Sequence, residues 1–378
     1  MVPAVAPVIA RRRATALVAL GLLATALPGA AAAQGGPKLT VPPGFAIDVF
    51  ADKVGGVRFM AVDPAGTLLV SEPSAGHVLA LPDKNGDGRA DRVQVVVTGL
   101  DQPHGLAFRD GALYVAETGR VQRFAYDPAA MKATQPTLVT RLPSGGGHWT
   151  RTVVFGPDGL MYVSVGSSCN VCRESDRRRA AVLRFNADGS GEQVFASGIR
   201  NAVGLAFHPT TGVLWATVNE RDWRGDDVPP DYVTELREGT FHGWPDCMVV
   251  RGRVIADTAF AKGATCDKVT PPTVELQAHS APIGLAFYTG TQFPEDYRGS
   301  LFVAYRGSWN RTLPTGYKIV RIPFRDGQPA GAPEDFATGW LEGTSSWGRP
   351  VDLVVGRDGA LYLSDQGAGR IYRITYRP

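Results

Sequence analysis

The stretch LVVGRDGALYLSDQ, from Leu353 to Gln366, consists of two short apolar segments joined by the turn Gly-Arg-Asp-Gly. Short runs of this kind on either side of a glycine turn predict two β-strands. The same pattern occurs five more times, beginning at Met60, Leu106, Val153, Leu205 and Leu285. Because a unit of this size cannot bury both faces of its sheet alone, the repeats predict a radial array of sheets. We therefore expect an all-β fold, a six-bladed β-propeller with roughly four strands per blade.

The segment Gly44–Asp52 resembles the outer strands of the blades, although it precedes the first repeat. The last blade ends at Tyr376 and lacks an outer strand of its own. Pairing of these two segments would close the ring and remove an exposed sheet edge. The sequence thus predicts one propeller domain over residues 40–378, closed by an N-terminal outer strand.

Residues 1–33 have the composition of a targeting segment. Arg11, Arg12 and Arg13 precede an apolar run that ends in four consecutive alanines. This order is typical of a secretory signal peptide, and a membrane anchor is the alternative, although the run is short for a span. We expect a periplasmic or secreted protein with no stable membrane insertion after signal removal.

Bulk charge excludes some classes of partner. The chain has 39 basic and 36 acidic residues, and residues 1–33 contain three arginines and no acid. Without that segment the chain is formally neutral, so its charge provides no basis for binding nucleic acid. We therefore expect no nucleic-acid partner.

The four cysteines suit an oxidising compartment. We expect the disulfides Cys169–Cys172 and Cys247–Cys266, and a zinc site built from all four residues is the alternative. Cys169 and Cys172 do not form a haem-attachment motif, because Arg173 stands where that motif requires histidine.

Loops that lead into the first strand of each blade converge on the central channel, where we expect the chemistry. His148 follows three glycines, so its backbone can approach a ligand closely. A neutral imidazole is a suitable proton acceptor, and a histidine hydrogen-bonded within its loop is the alternative. Arg200 and Arg349 stand at equivalent positions on two blades, where they would need an anion between them. Pairing with acids such as Asp352 is the alternative there.

Two acidic segments could bind a cation. In the first, oxygen-bearing side chains alternate around a glycine turn at Asp83, Asn85, Asp87 and Asp91. Its spacing resembles the first part of a calcium loop, but Gln94 stands where the bidentate acid is needed. A structural calcium site and a solvated hairpin are the two interpretations. In the second segment, residues 220–231, carbonyls and carboxylates could hold a hard cation.

Several motifs follow one another in a fixed order on the blades: His148 with 156–158, 167–172, 198–207, 219–222, 241–245 and 307–310. Together they resemble the glucose/sorbosone dehydrogenase family of soluble quinoproteins, over roughly residues 40–376. That family uses pyrroloquinoline quinone (PQQ) and calcium on a six-bladed propeller. The motifs at 167–172, 219–222 and 307–310 look closest to its sorbosone-dehydrogenase-like branch.

The resemblance implies a role for individual residues. His148 would be the general base, and Gln102 would bind the substrate. The cofactor contacts would be Arg200, Asn201, Ser280, Arg306 and Arg349. Calcium would be held partly by the backbone carbonyls of Glu220 and Arg221.

Three positions depart from the family pattern. The carboxylate that orients the histidine in the family falls at Ser167, the acid before the histidine falls at Gly147, and the second arginine of blade six falls at Val351. Without the first of these, the imidazolium formed in turnover loses stabilisation. Asp365 is our candidate to replace that carboxylate.

The sequence therefore predicts a periplasmic oxidoreductase that oxidises an aldose or sorbosone-like sugar by hydride transfer to PQQ with calcium assistance. Electrons would pass to a separate acceptor, a cytochrome or a quinone, because the chain has no haem motif. The first alternative is a calcium-dependent sugar-lactone hydrolase, which needs several carboxylates around a central metal. The second is a non-catalytic carbohydrate-binding propeller, which needs no base.

Overall fold

The computed structural model describes residues 38–378 together with Met1, Pro3 and Ala4. The predicted signal segment therefore lies outside the described residues except at those three positions. Residues 38–378 form six antiparallel sheets, and the first strand of each sheet contacts the first strand of the next, from blade one round to blade six and back. This closed ring confirms the predicted all-β, six-bladed propeller.

The first three blades follow the first three repeats. Blade one consists of Met60–Val62, Leu68–Glu72, His77–Leu81 and Gln94–Val97. Blade two consists of Leu106–Arg109, Ala112–Glu117, Arg120–Asp127 and Lys132–Arg141. Blade three consists of Val153–Phe155, Met161–Val165, Ala181–Phe185, Gln193–Ser197 and the short parallel strand Thr240–Phe241.

The last three blades follow in chain order. Blade four consists of Ala202–Phe207, Leu214–Val218, Tyr232–Leu236 and Val274–Glu275. Blade five consists of Pro282–Phe287, Leu301–Tyr305, Lys318–Ile322 and Glu334–Ala337. Blade six consists of Pro350–Val355, Leu361–Asp365, Arg370–Tyr376 and the N-terminal strand Phe45–Ala51.

Short elements decorate the ring. The paired hairpin strands are Cys247–Val250 with Arg253–Ala256, Phe324–Arg325 with Gln328–Pro329, and Leu341–Glu342 with Ser345–Ser346. A single 3₁₀ turn spans Glu295–Tyr297. Within the described residues, no helix has the length and hydropathy that crossing a membrane requires.

The N-terminal strand closes the ring as predicted. Phe45–Ala51 pairs antiparallel with Arg370–Tyr376, and a bulge interrupts the register near its end. The ring of Phe45 packs at 4.8 to 5.0 Å from four aromatic rings of blades five and six: Phe293, Tyr297, Phe336 and Tyr376. Closure thus combines backbone pairing with the burial of an aromatic side chain.

Hydroxyl groups join neighbouring blades at the axis. The Thr217 hydroxyl of blade four accepts a hydrogen bond from the Gly204 backbone N–H at 2.8 Å and donates to the Ile283 carbonyl of blade five at 2.5 Å. In the same way, the Ser364 hydroxyl of blade six accepts from the Asp352 N–H at 3.1 Å and donates to the Arg58 carbonyl of blade one at 2.5 Å. These bonds satisfy buried backbone groups that the sheets themselves leave unpaired.

We predict that Phe45→Ala lowers the free energy of unfolding by about 2 kcal/mol, because a partly buried aromatic side chain leaves a cavity beside its four partners. Asp48→Ala, at an exposed position of the same strand, is the matched control and should change it by less than about 0.5 kcal/mol. Thermal and urea unfolding of the two variants measure the difference. Equal stability of the two variants would contradict closure by this strand.

Candidate active site

Two adjoining cavities, of about 390 and 290 Å³, lie where the loops that precede the first strands converge. They share six lining residues: Gly147, His148, Asn201, Asn219, Ala281 and Trp309. We describe them together as the axial cavity. The structure thus brings the predicted base His148 and the predicted cofactor residue Asn201 into one wall.

The orientation of His148 follows from its hydrogen bonds. Its Nδ1 lies 2.9 Å from both the backbone carbonyl oxygen and the Oγ of Ser167. The Ser167 hydroxyl donates its proton to the Cys169 carbonyl at 2.6 Å. Both Ser167 oxygens therefore act as acceptors towards the imidazole, so Nδ1 carries the hydrogen and Nε2 keeps its lone pair.

Arg151 fixes the loop that carries His148. Its fully buried guanidinium group donates to the carbonyls of Pro143, Thr150 and His148 at 2.6 to 2.9 Å. Gly166, which follows the strand Met161–Val165, allows close packing against this loop, because a Cβ atom there would lie 2.6 Å from the Cβ of His148. Arg151 and the close packing at Gly166 thus fix the position of the imidazole.

The electrostatic environment keeps His148 neutral. Burial, followed by the nearby positive charge of Arg200, lowers the pKa of His148 to about 3. The imidazole is therefore unprotonated at any pH at which the protein would work. A neutral imidazole with a free Nε2 is the form that a general base requires.

Three arginines form a cluster, Arg58, Arg306 and Arg349, of which Arg58 and Arg306 line the smaller part of the axial cavity. The Oε1 of Gln366 accepts hydrogen bonds from both Arg58 and Arg306 at 3.0 Å. Burial and the charge of Arg306 lower the pKa of Arg58 to about 9, and burial and Arg349 lower that of Arg306. Within residues 38–378, none of the three pairs with a carboxylate at salt-bridge distance. The buried Asp352 partly offsets the charge of Arg58 without a direct contact. Repulsion among arginines that have no carboxylate at salt-bridge distance is typical of an anion-binding site.

Arg200 has a different role from the arginine cluster. Its guanidinium group donates to the carbonyls of Asn170, Asn219 and Glu220 at 2.6 to 3.1 Å. It also donates to the Asp222 carboxylate at 2.8 Å. With these partners, Arg200 organises the floor of the cavity, and its contact with the cofactor stays a prediction.

Two buried acids lie beside Arg200. Burial raises the pKa of Glu220 and that of Asp231 to about 7 in each case. Asp231 accepts backbone hydrogen bonds from Glu220 and Ala281 at 2.9 and 3.0 Å. Arg221 is paired with the buried Asp257 of the blade-four insertion. Of the two residues predicted to hold calcium through their carbonyls, Glu220 lines the cavity and its carbonyl already accepts from Arg200, whereas Arg221 does not line it.

Two other predicted residues lie outside the cavity wall. The exposed Gln102 accepts a hydrogen bond from the Thr118 hydroxyl at 3.2 Å. The buried Ser280 donates to the Gln277 carbonyl at 2.6 Å. Each of these side chains is hydrogen-bonded to a nearby residue of its own blade region, so the structure does not bring them together with His148.

The expectation that Asp365 orients His148 is wrong. Asp365 accepts hydrogen bonds from the indole of Trp340 at 2.8 Å and from the Arg349 backbone at 2.7 Å. It stabilises blade six, and Ser167 itself provides the partner of the histidine. Two neutral oxygens replace the single carboxylate of the family pattern.

In the acidic loop of blade one, carboxylates accept hydrogen bonds from the backbone of the loop itself. Asp83 accepts backbone hydrogen bonds from Gly86, Asp87 and Gly88 at 2.9 to 3.2 Å. Asp91 accepts from the Lys84 backbone at 2.9 Å. These contacts are those of an Asp-Gly turn, and the structural calcium ion at this loop stays a prediction.

Sequence reasoning missed Arg58, Gln366 and Trp149. The guanidinium carbon of Arg58 lies 5.3 Å from the Trp149 ring, which lines the cavity beside His148. The signal that could have identified Arg58 is positional: it stands two residues before the first paired residue of blade one, as Arg151 does in blade three.

Both predicted disulfides are confirmed. Cys169 is bonded to Cys172 and Cys247 to Cys266, and the described residues include no free cysteine. The first disulfide holds the loop whose Cys169 carbonyl accepts from Ser167. The second closes the insertion that carries Asp257. Both therefore support walls of the axial cavity.

The fold and the cavity define a six-bladed propeller with an anion-binding axial site. The TrAA12-like family profile matches residues 39–377, and the chain belongs to this family. A pyrroloquinoline quinone-dependent pyranose dehydrogenase from Coprinopsis cinerea is 28% identical over 84% of this chain, which spans about half (52%) of that relative's length. These findings confirm the family resemblance that the sequence predicts.

Solved structures share the fold. The holo form of the PQQ domain of the Coprinopsis cinerea pyranose dehydrogenase has a TM-score of 0.78 at 24% identity, and covers 90% of this chain and 98% of that domain. The calcium structure of a Trichoderma reesei family AA12 enzyme has a TM-score of 0.79 at 21% identity, and covers 90% and 97%.

We predict that His148 stays neutral between pH 8 and pH 5 in the cofactor-free protein, because protonation would place a charge in a partly buried site near Arg200. Since the unfolded chain binds this proton near pH 6.5 and the folded chain near 3, the contribution of His148 to stability falls as the pH drops below 6.5. NMR of the imidazole nitrogens, assigned with His148→Gln, measures the titration. A midpoint between pH 6 and 7 would contradict this environment.

Proposed function

We propose that the protein is a PQQ-dependent sugar dehydrogenase that oxidises an aldose or sorbosone-like sugar in the axial cavity. The observation that carries the proposal is a neutral imidazole with a free Nε2 in the same cavity as Arg58 and Arg306, which have no carboxylate at salt-bridge distance within residues 38–378. The names of the Coprinopsis relative and of its solved domain support it.

The residues present fit the cofactor. PQQ carries three carboxylates, and the arginine cluster offers guanidinium groups without counterions. Two buried polar atoms, the Nε of Arg58 and the Oδ1 of Asn201, have no partner within residues 38–378. Buried polar atoms of this kind normally have a partner, so a polar ligand accounts for both. We assign PQQ binding to Arg58, Arg306, Arg349 and Asn201.

The protein's own residues perform the proton transfer. The Nε2 of His148 accepts the proton of the sugar's C1 hydroxyl, which makes the C1 hydrogen a better hydride donor. The resulting imidazolium keeps its Nδ1–H bonded to the two oxygens of Ser167. PQQ, when bound, would supply the hydride acceptor, and calcium would supply a Lewis acid beside it.

The fit for calcium is less direct. The calcium structure of the Trichoderma reesei enzyme supports a cation in this fold family, and Glu220, Asp222 and Asp231 place oxygen ligands in the cavity wall. A calcium ion on the Glu220 carbonyl would have the Arg200 guanidinium group as a like-charged neighbour. We propose that calcium binds this wall.

The compartment and the electron acceptor are part of the proposal. Two disulfides suit a protein of the periplasm or the extracellular space. Electrons then pass to a separate acceptor, a cytochrome or a quinone.

The test is reduction of a dye by apoprotein loaded with PQQ and calcium, across a panel of aldoses. We predict that His148→Ala lowers kcat at least ~10²-fold, the usual cost of a lost general base, while PQQ still binds. His77→Ala, a surface histidine beside Glu72, is the control and should leave kcat unchanged.

Each alternative gives a distinct result in this assay. Binding of PQQ with sugar-dependent reduction that His148→Ala leaves unaltered would refute the assigned base. Binding of sugar without binding of PQQ would favour the carbohydrate-binding propeller. Release of acid from sugar lactones without dye reduction would favour the hydrolase.

We predict opposite effects of Arg306→Met on stability and binding. Removal of one guanidinium group should weaken PQQ binding by roughly 10- to 100-fold, because a charged hydrogen bond is lost. It should also leave the apoprotein as stable or more stable, because like charges in the cluster repel one another. Titration with PQQ and thermal unfolding without it measure the two effects, and Arg370→Met, paired with Asp52 at the surface, is the control. Unchanged PQQ affinity would refute the assigned anion site.

A further inference from the structure

Two exposed tryptophans stand at the mouth of the axial cavity. Trp223 and Trp309 are 69% and 63% exposed, far more than any other aromatic side chain that the structure describes. Their rings meet edge to face, with centroids 5.2 Å apart and planes at 83°. Both line the larger part of the cavity, and Trp309 also lines the smaller part.

The structure holds this aromatic pair in place. Trp223 lies in the loop after the second strand of blade four, and Trp309 in the corresponding loop of blade five. Asn310 donates to the Asp222 carboxylate at 3.0 Å, and Arg311 donates to Asp227 at 3.1 Å. These hydrogen bonds join the two loops that carry the indole rings, so the fold fixes the position of the tryptophan pair.

A polar group without a partner lies beside the indoles. The Oδ1 of Asn310 is buried and accepts no hydrogen bond within residues 38–378, and Asn310 lines the cavity. An exposed aromatic face next to an unused acceptor matches the chemistry of a pyranose ring, which has apolar C–H faces and a rim of hydroxyl donors. A purely apolar ligand would leave this acceptor unpaired at a cost.

We propose that Trp223, Trp309 and Asn310 form an outer subsite for a second pyranose ring, linked to the sugar that is oxidised near His148. The protein then prefers oligosaccharides with a free reducing end over the corresponding monosaccharide. This inference rests on the proposed function, because it places the reducing end at the imidazole. The outer ring covers indole surface that is otherwise in water.

The kinetic test compares glucose with the 1,4-linked disaccharides cellobiose and maltose on the PQQ- and calcium-loaded protein. We expect a higher kcat/KM for at least one disaccharide than for glucose. Trp223→Ala should lower kcat/KM for that disaccharide roughly tenfold, from the loss of buried contact area, and leave that for glucose within about twofold. Leu138→Ala, at an exposed position of blade two, is the matched control and should change neither value.

A binding test separates this inference from the proposed function. Methyl β-cellobioside and methyl β-glucoside cannot be oxidised at C1, so calorimetry reports binding alone. We expect the wild type to bind methyl β-cellobioside more tightly than methyl β-glucoside. The Trp223→Ala variant should bind the two glycosides with equal affinity. Absence of dye reduction together with this binding pattern would overturn the dehydrogenase and support the subsite.

Two results would overturn the subsite itself. One is normal activity with the same disaccharide-to-glucose ratio in the wild type, Trp223→Ala and Trp309→Ala. The other is a loss of rate in both variants only when cytochrome c replaces the dye, equal for both sugars. That pattern would assign the tryptophan pair to docking of the electron acceptor.

Discussion

The close approach of neighbouring blades at the axis is the constraint on which the rest of the structure depends. A Cβ atom at Gly204 would lie 2.3 Å from the Ile283 carbonyl oxygen of the next blade. The same carbonyl accepts the hydroxyl of Thr217, so each inner strand is positioned by its neighbour as well as by its own sheet. The loops that precede these strands therefore start from fixed points, and their side chains converge without any long helix or rigid lid.

This convergence produces a site with an excess of positive charge. Arg58 and Arg306 of the arginine cluster line the same cavity as His148, and Arg200 lies on the floor. The charge of Arg200 is neutralised by Asp222 and by backbone carbonyls. The arginine cluster, in contrast, has no carboxylate at salt-bridge distance within residues 38–378 and could bind an anionic ligand. Burial, followed by the charge of Arg200, lowers the pKa of His148. The neutral imidazole and the arginine cluster thus have separate physical causes.

The sequence predicts the architecture well because the repeats report strand pairing, which is local and periodic. The spacing of the cysteines and the outer-strand phrase at residues 44–52 also report short-range geometry. His148, the candidate base, is identified from the three glycines that precede it. These features need no knowledge of distant contacts.

Other features depend on contacts between distant segments, which spacing cannot report. Asp365 accepts a hydrogen bond from Trp340. Gln366 accepts hydrogen bonds from both Arg58 and Arg306, although Arg58 and Gln366 are 308 positions apart in the chain. Arg200 looked like a cofactor residue because its motif is shared with the family, yet its hydrogen bonds lie within the protein. A motif gives the position of a side chain, and only the fold gives its partner.

The pairing of the first strand with the last has a consequence for biosynthesis. Until Arg370–Tyr376 leaves the ribosome, Phe45–Ala51 has no strand to join, and the nascent chain is an open arc of blades with two unprotected edges. The ring can become a circle only after Arg370–Tyr376 has been synthesised. A chaperone that shields the amino-terminal edge during that interval would therefore act on the segment that later seals the molecule.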